Sequence, residues 1–196
     1  MADSASEEAV LKQINPDELV ELGKSLVRIP SFIGEETALA RWLASYFSSR
    51  GYDVQLQEVD KGWFQTVATL KGTGGGKSLM LFGHMDTTWG GDEEGVKELG
   101  PGYQPASYME GDWIYGAGAY NMKSGLTSAI AAFEAIVRSG VSPKGDLIMA
   151  CVVGETCHTQ VGRYQSVADE AKVQEIQSNQ VVDLLCSFEV MKLVFR

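Results

Sequence analysis

The sequence predicts an α/β domain with a mixed sheet flanked by helices. Three observations carry that prediction. Helical and strand-like segments follow one another in the order helix, helix, strands, helix, strand. SLMLFGHMD (78–86) and GDLIMACVVG (145–154) are nearly continuous apolar runs, as central strands are. YDVQLQEV (52–59) and WFQTVATLK (63–71) show partial period-two alternation, as half-covered strands do.

The elements follow in order. Residues 1–15 are expected to be a flexible lead-in. Asn15-Pro16-Asp17-Glu18 starts a helix: a capping side chain, proline in the first turn, then acids at the positive end of the dipole. LVELGKSLVRI continues it with an amphipathic pattern, and Pro30 stops it. EETALARWLASYFSSR (35–50) is a second helix, with Ala38, Trp42, Leu43, Tyr46 and Phe47 at helical spacing and Gly51 as its stop. These apolar faces read as core. Residues 89–111 are rich in Gly, Pro and acids and read as loop. WIYGAGAY (113–120) reads as a short strand and turn, and residues 122–139 as a small-residue helix ending at Gly140. SVADEAKVQEIQSNQ (166–180) reads as a polar helix before the apolar segment VVDLLCSFEVMKLVFR.

Composition narrows the function classes. The 196 residues are 44% hydrophobic, enough for one ordinary core. The formal net charge of −10 would repel a phosphate backbone, which argues against a nucleic-acid partner. No stretch approaches the ~20 apolar residues of a membrane span. The N-terminus lacks the basic-then-apolar order of a secretory signal. Three cysteines, Cys151, Cys157 and Cys186, fit a reduced compartment better than a disulfide framework. A soluble cytoplasmic protein is therefore expected.

KGTGGGKS (71–78) imitates a phosphate-binding loop, but Lys71 stands where the first glycine of that motif belongs. A strand-like run follows it, whereas a phosphate loop opens a helix. It reads as a connection between strands, and a nucleotide-binding protein is a weak rival.

GHMDT is more informative. His84 is one of only two histidines, and Asp86 follows two places later. Residues two apart on a strand share a face. Strand ends of this kind carry sites in open α/β sheets, and a metal-binding histidine is commonly oriented by a carboxylate. The same pair also fits a strand-end histidine with a capping aspartate. Two further segments bear on the choice: YGAGAYNMKSG (115–125), and VVGE, in which Glu155 ends another buried strand. His84, Asn121 and Glu155 would then meet on one edge.

The order GHMDT, EGDWIYGAGAYNMKSGL, helix, GDLIMACVVGE resembles the M20 family of zinc-dependent amidohydrolases and peptidases, from about Pro16 to about Tyr164. That family includes acetylornithine deacetylase, succinyl-diaminopimelate desuccinylase, aminoacylases and carboxypeptidase G2. The resemblance implies that residues 16–165 form part of a catalytic domain and that 166–196 are a divergent tail. It implies metal ligands at His84 and Asn121, and catalytic roles for Asp86, which orients the histidine, and Glu155, the general base. It implies zinc, one or two ions, with cobalt or manganese as substitutes, and an N-acyl amino acid or small peptide as substrate. Family members are often homodimers.

The departures from the family pattern matter as much. Asn121 stands where most members have an aspartate that bridges two metals, so a two-metal centre is in doubt. Thr156 stands where a second acidic ligand is usual. Cys157 and His158 are of residue types that bind zinc, but read as loop. Members are roughly twice this length and carry an inserted dimerisation domain, so a truncated chain is expected, impaired in catalysis and inactive in isolation. The alternative is an inactive fragment with at most a binding role.

Overall fold

The computed structural model describes residues 4–91, 93–155 and 182–184. The elements in chain order are α1 (Ser4–Leu11), α2 (Pro16–Arg28), α3 (Thr37–Ser48), β1 (Asp53–Asp60), β2 (Trp63–Leu70), β3 (Ser78–His84), β4 (Tyr108–Glu110), β5 (Trp113–Tyr115), α4 (Ser124–Arg138), β6 (Leu147–Val152) and β7 (Val182–Leu184). Helix α1 lies within the segment read as a flexible lead-in. The polar helix read over 166–180 falls outside the described residues, as does nearly all of the apolar segment after it.

α2 begins where the capping signal places it. Asn15 Oδ1 accepts from the backbone N–H groups of Asp17 (3.0 Å) and Glu18 (3.4 Å). α3 starts at Thr37, two residues later than the sequence reading, because Glu36 turns its carboxylate into the protein instead of joining the helix.

β1, β2, β6, β3 and β7 form one sheet in that spatial order. β1 pairs with β2, and β2 with β6, antiparallel; β3 runs parallel to β6 and β7. The sheet is therefore mixed, as the element order predicts. Successive residues of β6 alternate between its two faces. Leu147, Met149 and Cys151 join the large core built with Leu26, Leu39, Leu43, Phe47, Leu126, Ile130 and Phe133 of the helices. Ile148 and Ala150 join a smaller cluster with Val67 and Met80.

Three local differences from the sequence reading have physical causes. β4 lies inside the span read as loop, since three residues are too few to show a period. It pairs antiparallel with β5, and the rings of Tyr108 and Tyr115 stack at 4.9 Å. α4 starts at Ser124 rather than Met122, because Asn121 is extended (φ −127°, ψ 104°) in the turn before it. β3 stops at His84, so Asp86 stands in the loop beyond the strand. Residues 71–77 connect β2 to β3 without a helix, as expected of a strand connection. Among the described residues no helix is long and apolar enough to cross a membrane.

Candidate active site

β3 and β6 run parallel and side by side, with His84 opposite Val152. Their C-terminal ends therefore open on the same edge of the sheet, the edge where open α/β sheets place their sites. The loop after β3 is fixed at three points. Met85 N–H donates to Val152 O (2.8 Å), Ser31 Oγ donates to Met85 O (2.7 Å), and Thr87 N–H donates to Ser31 O (2.8 Å). That loop brings the Asp86 carboxylate back beneath the imidazole, although Asp86 is no longer on the strand.

The two sides of the His84 ring face different things. Nδ1 lies 3.1 Å from the Asp86 backbone oxygen and 3.4 Å from Asp86 Oδ1. Both are acceptors, so Nδ1 carries the ring proton. Nε2 lies 3.1 Å from Asn121 Oδ1 and 3.4 Å from Glu155 Oε2. With the Asn121 amide assigned this way round, these are acceptors too. A lone pair on Nε2 thus faces two oxygens with no hydrogen between them. A second proton on the ring, or a cation, satisfies that arrangement. Burial depresses the imidazole pKa. The Asp86 hydrogen bond and charge, the Asn121 hydrogen bond and the Glu155 charge outweigh it, so the net shift is upward.

His84 and Asp86 are buried, while the Glu155 side chain is 58% exposed. One ligand atom from each of the three lies within 4.8 Å of the other two. Asp86 serves the Nδ1 side, which leaves Nε2, Asn121 Oδ1 and Glu155 Oε2 facing the open side. Nε2 and the Asn121 oxygen make a mixed nitrogen and oxygen pair that suits one divalent ion, with the Glu155 carboxylate beside it. The set does not suit two bridged ions, because the Asn121 amide is neutral.

All four residues singled out in the sequence, His84, Asp86, Asn121 and Glu155, are brought together. Cys157 and His158 lie outside the described residues. Four contributors escaped the sequence reading. Met122 Sδ accepts from His84 N–H (3.4 Å). Lys123 is buried and donates from Nζ to Ile29 O (2.7 Å), tying the Asn121 turn to the end of α2; burial lowers its pKa to about 7. Glu36 and Trp63 reach the turn before Glu155. Among these Met122 and Lys123, which follow Asn121 in NMK, stood in a recognisable motif; Glu36 lay inside a span read as ordinary helix. Beside Asn121 a cavity of about 410 Å3 is lined by Thr87, Thr88, Trp89, Tyr103 and Tyr120 among others.

Comparison with known proteins gives this geometry a context. Residues 80–190 match the sequence pattern of Peptidase family M20/M25/M40. A peptidase M20 domain-containing protein of Schizosaccharomyces pombe is 33% identical over 141 residues, 71% of this chain and 32% of that protein. The N-formyl-4-amino-5-aminomethyl-2-methylpyrimidine deformylase of Bacillus subtilis is 29% identical over 145 residues, 71% of this chain and 33% of the deformylase. Among solved structures, the di-peptidase Dug1p of Saccharomyces cerevisiae superposes with a TM-score of 0.68 at 14% identity, covering 93% of this chain and 41% of Dug1p. The chain spans about one third of the length of these curated relatives.

Proposed function

The chain belongs to peptidase family M20/M25/M40, and from that premise we propose that it carries the metal-binding edge of a hydrolase acting on N-acyl amino acids or small peptides. Members of the family hydrolyse amide bonds and are metal-dependent. The observation that carries the reading for this chain is the convergence of acceptors on His84 Nε2.

His84 and Asn121 would hold the ion, with further positions left to water or to residues beyond those described. We assign zinc, for which a nitrogen and oxygen set is suited. When bound, such an ion lowers the pKa of a coordinated water and polarises the scissile carbonyl. The chain's own groups do the rest. Asp86 fixes the tautomer of His84, so that Nε2 presents its lone pair. Glu155 is exposed and close to the same point, placed to take a proton from the attacking water and hand it to the leaving amine. The cavity beside Asn121 offers space for part of a substrate.

Zinc analysis of the purified, monodisperse chain tests the metal assignment. About one ion per chain is expected, and its loss in His84→Ala. Glu155→Gln should retain the ion and lose amide hydrolysis by on the order of 100-fold. Undiminished hydrolysis in Glu155→Gln would overturn the assignment of the base. Absence of zinc from the unaltered chain would favour a fragment with a binding role at most.

A further inference from the structure

Glu36 is a fully buried carboxylate that no step above uses. Its Oε2 accepts from the Trp63 indole N–H (2.6 Å), and its Oε1 accepts from the Gly154 backbone N–H (3.2 Å). Burying a carboxylate is costly even when it is well bonded, and an apolar side chain would serve the core better. The cost is therefore to be explained by what the carboxylate holds.

It holds one turn. Gly154 has φ +77°, a left-handed conformation that glycine adopts without strain. A Cβ there would come within 2.8 Å of the Trp63 ring. The turn is thus bonded by Glu36 and packed against the ring that Glu36 itself anchors. The next residue is Glu155, whose backbone N–H donates to Asp86 Oδ1 (3.0 Å). The same Asp86 oxygen lies 3.4 Å from His84 Nδ1. A continuous series of contacts therefore runs from Glu36 through Gly154 and Glu155 to Asp86 and His84. It links the start of α3 and the start of β2 to both strand ends that carry the site.

We propose that Glu36, anchored by Trp63, is a positioning residue that fixes the Gly154–Glu155 turn, so that Glu155 and Asp86 keep their places around His84. The assignment of what Glu155 does rests on the function proposed above; the brace itself does not. A glutamine at position 36 cannot reproduce it. Its amide has one acceptor oxygen and would point an NH2 group at either Gly154 N–H or Trp63 N–H.

The test separates bracing from general stability, and from the metal reading. Amide hydrogen exchange is followed by NMR in the full chain, for the parent, Glu36→Gln and Trp63→Phe, without added metal. Cobalt(II) affinity is then measured by calorimetry. Exchange at Gly154 and Glu155 should accelerate about tenfold or more in Glu36→Gln, with Leu126 and Ile130 in α4 unchanged. Cobalt affinity should fall by about tenfold, as for other residues that orient ligands. Trp63→Phe, which keeps an aromatic ring but removes the N–H, should loosen the same two amides and serves if Glu36→Gln fails to fold. Unchanged exchange at Gly154 and Glu155, or equal acceleration throughout α4, would overturn the brace. Local loosening in a chain that binds no cobalt at all would uphold the brace and overturn the metal-dependent reading instead.

Discussion

The two ends of the β3–β6 pair are built in opposite ways. At the N-terminal end, backbone lies on backbone. A Cβ on Gly145 would fall 1.8 Å from Lys77 O, and one on Gly72 would fall 2.3 Å from Gly145 O. Two of the ionic groups there, Lys71 and Asp146, form a pair 2.8 Å apart with the lysine well exposed. At the C-terminal end the charges go inside: His84, Asp86 and Glu36 are all buried, and the backbone is spread open into turns that carry them. One end closes the sheet, and the other keeps polar groups where water does not screen them. Costly burial of charge at only one end of a shared strand pair marks where the chemistry lies.

The largest effect should come from disturbing the closed end. Gly145→Ala forces a Cβ into a backbone carbonyl, which has no rotamer to move. A loss of roughly 3 kcal/mol or more is expected, read from urea unfolding of parent and variant. Cobalt affinity of the fraction that remains folded should be unchanged. A parallel loss of affinity would mean that the two ends are not independent.

The sequence spoke unevenly about these ends. KGTGGGKS looks more like a functional motif than GHMDT does, yet Gly72 and Gly76 serve close packing against Lys144 and Gly145, and Gly74 and Gly75 form a bend with φ of 98° and 77°. Its spacing and the strand after it were enough to set it aside. α2 was legible because capping is local: Asn15, Pro16 and the acids all lie within four residues. His84, Asp86, Asn121 and Glu155 were legible through their order along the chain. Glu36 was not, because its partners Trp63 and Gly154 lie 27 and 118 residues away. Nothing local distinguishes a glutamate that turns inward at a helix start from one that faces water. β4 was missed for a similar reason: its pairing with β5 is visible only once the hairpin has closed.

The second effect sharpens the contrast through pH. Burial pushes the Glu36 carboxyl up from 4.5 to about 7, with a smaller push from Asp86, against the pull of its hydrogen bonds. The folded state therefore holds this proton more tightly than the unfolded chain does. The resulting stabilisation is complete below about pH 4.5 and is lost as pH rises through about 7. The loss is on the order of 3 kcal/mol between these limits. The upward shift of His84 acts in the same direction at higher pH. Urea midpoints between pH 5 and 8 should fall less steeply in Glu36→Gln than in the parent. At the closed end the Lys71 hydrogen bond, and then the Gly72 N–H, hold the Asp146 carboxyl below its usual range, the opposite sign. Asp146→Asn should leave the slope over this interval unchanged. Equal slopes in parent and Glu36→Gln would show that the buried charge does not govern the open end.

The smallest effect probes the open end at one atom. Asn121 Oδ1 stands 3.1 Å from His84 Nε2 with no charge of its own. Asn121→Asp keeps the shape and adds a negative charge at that point. If a cation sits between these groups, its binding must tighten, although Asn121 and Glu155 are both exposed and water screens part of the added attraction. Part of the gain is offset by desolvating the new carboxylate, so an increase of about tenfold in cobalt affinity, ~1.4 kcal/mol, is expected rather than a larger one. The new acid also faces Glu155, and in the metal-free chain the two should repel. The apo variant should therefore be less stable than the apo parent and should recover more stability when cobalt is added. Calorimetry and thermal unfolding with and without cobalt read both terms. Unchanged affinity would place the cation somewhere other than Nε2. Tighter binding with no cost to the apo protein would mean that Glu155 swings clear of Asn121 until the ion draws it in.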